Sequence, residues 1–84
     1  MKLVVVTPQS KHEYVVQWIE AHTASGSLVI KPGHAPMILM LVPGFDFSFM
    51  LETSEKKLIQ LLRPGFMEVN RDGAVVLLGQ EVAV

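Results

Sequence analysis

The sequence has no cysteine, few charged residues and no long apolar run. Without cysteine the chain can form no disulfide bond and carries no thiolate for catalysis or metal binding. Its longest apolar run, residues 37–42, is far shorter than the roughly 20 residues that a bilayer-spanning helix requires. We therefore expect no direct insertion into a membrane.

Charged side chains make up 18% of the 84 residues, and the formal net charge is −1. The seven basic residues are scattered and form no stripe, so nucleic-acid binding is not expected. Half of the residues are hydrophobic, and the mean hydropathy is +0.40. Because so short a chain buries a modest share of its surface, this composition predicts an apolar surface that a protein partner covers.

No group of chemically active side chains stands out. The three histidines, His12, His22 and His34, lie ten and twelve residues apart, which matches no familiar metal-ligand spacing. No serine lies in a Gly-x-Ser-x-Gly turn, and no glycine-rich loop could cradle a phosphate. We therefore expect no catalytic residue, no metal site and no cofactor.

Turn signals divide the chain into short segments. Pro-Gly pairs occur at 32–33, 43–44 and 64–65, and Asp-Gly at 72–73 favours a hairpin between segments 66–69 and 74–78. The clearest strand is 45–51, in which three phenylalanines and a leucine alternate with polar residues or methionine. Short strands separated by such turns predict a β-sandwich or barrel.

Two segments, 10–23 and 54–62, are compatible with either helix or strand. Ser10 to Glu13 forms a helix-capping pattern, whereas the β-branched and aromatic residues at 14–19 favour a strand. Trp18 is expected in the core, with a place in a partner interface as the alternative. The stretch 37–41 is apolar throughout, which predicts that both of its faces are covered.

The segment 26–36 reads Gly-Ser-Leu-Val-Ile-Lys-Pro-Gly-His-Ala-Pro and ends in a rigid corner. Because Pro36 cannot donate to a sheet, the corner should lie at a sheet edge. With the Pro-Gly pair at 43–44, this segment resembles the signature of the F-type ATP synthase epsilon subunit, which is called delta in mitochondria. Segments 3–8, 65–69 and 75–78 resemble further parts of that family in the same order, across the whole chain.

This resemblance implies an all-β fold. The expected form is a flattened β-sandwich of about ten short, mostly antiparallel strands with little or no helix, in one domain over residues 1–84. It also implies a non-catalytic subunit of the central stalk, the rotor, which couples proton or sodium transport to ATP synthesis. The partners would be the gamma subunit and the membrane rotor ring, at the cytoplasmic face of the inner (plasma) membrane.

The resemblance and the rigid corner together suggest contact residues. For gamma we expect His34, Pro36, Met37, Leu39, Pro43 and Gly44. For the ring end we expect Gly26, Ser27, Arg63 and Pro64. The family usually has glutamate where this chain has Ser27, and Ser-Gly-Gly where it has Arg63-Pro64-Gly65.

Family members continue into a two-helix C-terminal arm, whereas this sequence ends at Val84, near the end of the sandwich. Inhibition of ATP hydrolysis and ATP binding, which belong to that arm, are not expected of these residues. Two other readings stay open at this point. One is a free-standing β-sandwich module that binds a protein unrelated to ATP synthesis, and the other is a small metal-dependent or hydrolytic enzyme.

Overall fold

The computed structural model describes residues 1–82, and these residues form β-strands and connecting turns without any helix. The all-β prediction is confirmed, with eight strands in the described residues where about ten were expected. The strands in chain order are β1 (Lys2–Val6), β2 (Lys11–Thr23), β3 (Gly26–Ile30), β4 (Met37–Leu41), β5 (Asp46–Leu51), β6 (Lys56–Gln60), β7 (Gly65–Val69) and β8 (Gly73–Leu78). No helix that could cross a bilayer occurs in residues 1–82.

Two layers share the long strand β2. In sheet A the order is β4-β7-β8-β1-β2, and in sheet B it is β3-β2-β5-β6. The first part of β2 pairs with β1 down to Val15, and the second part pairs with β5 from Val16 onwards. The register shifts between Val16 and Trp18. Because such an irregularity bends and twists a strand, it allows β2 to pass from one layer into the other.

Among the strands of residues 1–82, one pair is parallel and the others are antiparallel. The first and last strands, β1 and β8, run side by side in the same direction, with Leu3 opposite Ala74. The two backbones meet closely at Gly73, where an added β-carbon would lie 2.1 Å from the Lys2 carbonyl oxygen. Glycine is therefore required at the start of this non-local pairing.

The core lies between the inner faces of the two sheets. Phe47 and Phe49 of β5 are completely enclosed, and Tyr14 packs on Phe49 with ring centroids 4.9 Å apart. The molecule measures 28 × 27 × 19 Å, which agrees with a flattened sandwich. The other buried hydrophobic side chains are Leu3, Val5, Val16, Ile19, Ala21, Ile30, Leu41, Ile59, Leu61, Met67, Val69, Ala74, Val76 and Leu78.

Both ambiguous segments form strands, β2 and β6. The capping pattern at Ser10 does not start a helix, because the Thr7 amide donates to the Ser10 carbonyl (2.9 Å) and closes a turn between β1 and β2. The prediction of Trp18 as a core residue is wrong. Its half-buried side chain lies on the outer face of sheet B, where the Lys56 ammonium is 5.7 Å from the ring centroid.

The prediction that both faces of 37–41 are covered is also wrong within this chain. In β4, Met37 and Leu39 are half-buried against the core, whereas Ile38 and Met40 are 62% and 59% exposed. The strand pairs with β7 at the end of sheet A. An apolar run cannot reveal this difference, since alternate side chains point to opposite faces whatever their identity.

Candidate partner-docking surface

The outer face of sheet A carries an apolar surface built by cross-strand neighbours, with one charged residue, Glu68, inside it. Met40 lies opposite Phe66, Phe66 opposite Leu77, and Leu77 opposite Val6. A second row runs from Ile38 through Glu68 to Val75 and Val4. We call this surface the apolar face, and its members are Val4, Val6, Ile38, Met40, Phe66, Val75 and Leu77.

Charged residues border the apolar face on β1 and β2. Lys2 Nζ lies 3.1 Å from Glu13 Oε1. The hydrogen bond and the charge of Lys2, together with the charge of Lys11, lower the pKa of Glu13 below its usual value. An apolar centre with a charged margin is the arrangement found at protein–protein interfaces.

The outer face of sheet B differs in character. Lys56 lies over Trp18, and the Ser48 hydroxyl donates to Glu20 Oε1 at 3.4 Å. His22 stacks on Phe45 with centroids 4.9 Å apart. Because charged and polar side chains alternate with apolar ones on this face, it offers a less continuous apolar surface than sheet A does.

The predicted gamma contacts occupy three places along the chain. The Pro-Gly corner is a turn as predicted, since the His34 amide donates to the Lys31 carbonyl at 3.2 Å and Gly33 has φ of 83°. His34 is half-buried and Pro36 is exposed just before β4. Pro36 also lines a shallow groove with residues from one end of the β4–β7 pair, where β4 begins and β7 ends.

The other predicted gamma residues divide between β4 and the loop after it. Met37 and Leu39 face the core, so their side chains support β4 from below. Pro43 and Gly44 are exposed in the β4–β5 loop. The five residues of β4, roughly 17 Å in length, separate this loop from the corner at Pro36.

The predicted ring contacts lie near the β4–β5 loop. Gly44 donates its amide to the carbonyl of Leu61 at 2.9 Å, which places this loop beside the exposed Arg63-Pro64 turn. On its other side, the Val42 amide donates to the His22 carbonyl at 3.1 Å, and His22 pairs with Ser27. Backbone contacts thus connect the loops that hold Gly26-Ser27, Pro43-Gly44 and Arg63-Pro64 at one end of the sandwich.

Sequence reasoning predicted an apolar surface from the composition but did not locate it on sheet A. Its signal was present in β8, where Val75 and Leu77 are apolar on the side opposite to the buried Ala74 and Val76. A strand that is apolar on both sides should be covered twice, once by the core and once by something else. Within residues 1–82, no group of three or more His, Cys, Asp or Glu side chains is placed to hold a metal ion.

A family model with the description "ATP synthase, Delta/Epsilon chain, beta-sandwich domain" matches residues 1–83. The chain belongs to this family. The resemblance to the epsilon subunit seen in the sequence is thereby confirmed. The ATP synthase epsilon chain of Bdellovibrio bacteriovorus is 35% identical over 80 residues, an alignment that covers 92% of this chain and 56% of that protein.

Solved structures support the fold of this delta/epsilon-family domain. A chain in the Euglena gracilis mitochondrial ATP synthase structure described as OSCP/F1/c-ring superposes with a TM-score of 0.82 at 21% identity, covering 95% of this chain and 51% of that chain. A chain in the Tetrahymena thermophila mitochondrial ATP synthase central stalk/c-ring structure gives 0.74 at 20% identity, with 95% and 63% covered. The present chain thus spans between half and two thirds of the length of these relatives.

Proposed function

We propose that this chain is a non-catalytic subunit of the central stalk of an F-type ATP synthase, acting as one β-sandwich domain over residues 1–84. It docks on the gamma subunit and the membrane rotor ring and helps to couple proton or sodium transport to ATP synthesis. The observation that carries this proposal is the family match over residues 1–83. The central stalk and c-ring in the titles of structurally similar assemblies agree with it.

The apolar face supports docking on gamma. Four large side chains, Ile38, Met40, Phe66 and Leu77, are exposed side by side on three neighbouring strands. Water contact with this surface is unfavourable, so covering it by a partner contributes binding free energy. The predicted contacts His34 and Pro36 lie at one end of β4, and Pro43 and Gly44 at the other, where they can extend the same interface.

The linked loops that hold Gly26-Ser27 and Arg63-Pro64 are our proposed ring end. Their exposure and mutual proximity suit contact with polar loops of a membrane ring. Ser27 cannot form the ion pair that a glutamate could form there, whereas Arg63 supplies a positive charge. The chain would therefore be held at the cytoplasmic face of the membrane by its partners, as a peripheral subunit.

A rotor part must also be stiff, because a deformable body would absorb torque as strain. Cross-strand pairing in both layers and a shared strand β2 provide that stiffness. Met67, completely buried between the sheets, helps to fill the interior rather than a partner surface.

The direct test mixes the purified chain with the gamma subunit from the same organism and measures the mass of the product by size-exclusion chromatography with light scattering. We expect a stable 1:1 complex, and retention of that complex on nanodiscs that contain the rotor ring. The chain alone should show no ATP turnover. If the chain keeps its β-type circular dichroism but elutes apart from gamma, the proposal is wrong and the free-standing binding module becomes the better reading.

A further inference from the structure

The residues that follow β8 lie across one end of the sandwich and bind both layers. We call residues 79–82 the strap. The side-chain amide of Gln80 pairs with the backbone at the end of sheet B, as a neighbouring strand would. Its Nε2 donates to the Gln60 carbonyl (2.8 Å), and its Oε1 accepts from the Leu62 amide (2.7 Å). These two bonds hold the strap at the end of β6.

The next residue binds sheet A through a carboxylate. Glu81 Oε1 accepts from the hydroxyls of Thr7 (2.7 Å) and Ser10 (3.0 Å), and Oε2 accepts from the Gln9 amide (2.7 Å). The β1–β2 turn is shaped for this contact, because the Ser10 amide donates to Thr7 Oγ1 and holds the two hydroxyls together. His12 Nε2 lies 3.2 Å from Ser10 Oγ, so an imidazole borders the same cluster.

The Thr7 hydrogen bond is the main reason that the pKa of Glu81 lies below its usual value. The pKa is lowered further by the Gln9 amide, the Ser10 hydroxyl and the charge of His12, whereas partial desolvation raises it. The carboxylate is therefore ionised at neutral pH, and hydrogen bonds to a charged group are stronger than those between neutral groups. Val82 then packs against the core.

The two anchor points, the end of β6 and the β1–β2 turn, are attached to strands that do not pair with each other. In the strand order, β5 lies between β6 and β2, and the turn held by Glu81 lies at the far side of β2. The strap therefore bridges the layers where no backbone ladder does.

We propose that the strap is a cooperative clasp that closes this end of the sandwich, so that Gln80 and Glu81 release together. Gln80 and Glu81 are adjacent, and the backbone between them is too short for one residue to move away while the other keeps its hydrogen bonds. Gly79 also lies beside the Arg63 side chain, since an added β-carbon would be 3.8 Å from Arg63 Cδ. Opening the clasp would thus release Leu62 and Arg63 from the strap, independently of which partner the protein binds.

Amide hydrogen exchange measured by NMR tests the clasp, because two of the amides it holds, Gln9 and Leu62, belong to different layers. In Glu81→Ala we expect exchange to quicken roughly tenfold or more at Gln9 and also at Leu62, as the charge-assisted bonds are lost. Gln80→Ala should quicken both amides as well. Glu68→Ala, a change of the same type at an exposed glutamate on β7, should alter neither.

The Val5 amide, in the buried strand β1, reports opening of the whole fold. If Glu81→Ala quickens Gln9 alone, the two anchors are independent and the clasp is refuted. If Gln9 and Leu62 exchange as slowly as Val5 in the parent chain, these amides open only with the whole fold, and the clasp is refuted. Unchanged exchange at both Gln9 and Leu62 would show that the strap contacts do not protect these amides.

Discussion

Replacing Ile38 by glutamate is the sharpest test of how this domain meets its partner. The Ile38 side chain is 62% exposed on the apolar face, and its neighbour across the strands is Glu68. Fully burying an isoleucine contributes about 1.5–3 kcal/mol, so covering the exposed part contributes about 1–2 kcal/mol. A glutamate loses this contribution and leaves a buried polar group without a partner, which costs about 1–3 kcal/mol more.

The two effects together amount to about 2–5 kcal/mol, so Ile38→Glu should raise the Kd for the gamma subunit roughly 30-fold or more. Like-charge repulsion with Glu68 acts in the same direction. Isothermal titration calorimetry measures the change directly. The fold should survive, because the side chain faces away from the core and surface substitutions have small effects on stability.

Leu58→Glu is the matched control. Leu58 is 58% exposed on β6, at the end of sheet B, and receives the same change on the opposite outer face. The affinity of the Leu58→Glu variant for gamma should stay close to that of the parent chain. Unchanged binding by Ile38→Glu with weakened binding by Leu58→Glu would refute the assignment of the apolar face, because the partner would then cover sheet B.

Three other changes test the packing and the end of the sandwich. Leu39 is next to Ile38 in the chain, but its side chain faces the core. Leu39→Glu should therefore lower the free energy of unfolding by about 2–5 kcal/mol in urea titrations. An unfolding midpoint equal to that of the parent would contradict the inward placement of Leu39. Gly73→Ala should destabilise the protein by roughly 2–4 kcal/mol in the same assay, because a β-carbon would collide with the Lys2 carbonyl and separate β1 from β8. Its control is Gly79→Ala, which should be nearly neutral because the added β-carbon has 3.8 Å of clearance. The pKa of Glu81 is lowered in the folded state, chiefly by the threonine hydroxyl that donates to it, so its stabilising effect is present above the unfolded pKa and is lost as the pH falls through the folded value. The difference in Tm between the parent and Glu81→Ala should accordingly be seen at about pH 6 and shrink as the pH falls through the acid range in which Glu81 becomes protonated, and a difference that persists in strong acid would show that the carboxylate charge is not its source.

Much of the fold could be read from local patterns. The turn at Lys31–His34 and the hairpin before Gly73 depend on residues next to each other in the chain, and both form as predicted. In the hairpin, the Asn70 side-chain oxygen accepts from the amides of Asp72 and Gly73, which a sequence-local motif can supply. The choice of strand over helix for 10–23 was open, and the non-local ladders that β2 makes with three other strands decided it.

The candidate surface was harder to predict. The exposed loops that hold Pro43-Gly44 and Arg63-Pro64 could be proposed from turn residues, but their proximity to each other arises from a backbone bond between Gly44 and Leu61. On β4, the residues expected at the interface, Met37 and Leu39, face inwards, whereas Ile38 and Met40 face outwards.

The sequence alone determined most of the strands, the tight turns and the family, because these depend on the chemistry of near neighbours and on an ordered set of motifs. Tertiary structure decided which apolar face meets solvent, which strands run parallel, and that Glu81 reaches Thr7. An all-apolar strand has no alternation to orient it, so its inward side is set by the layer it packs against. Contacts between residues 74 positions apart depend on the path of every strand between them, and no local pattern encodes that path.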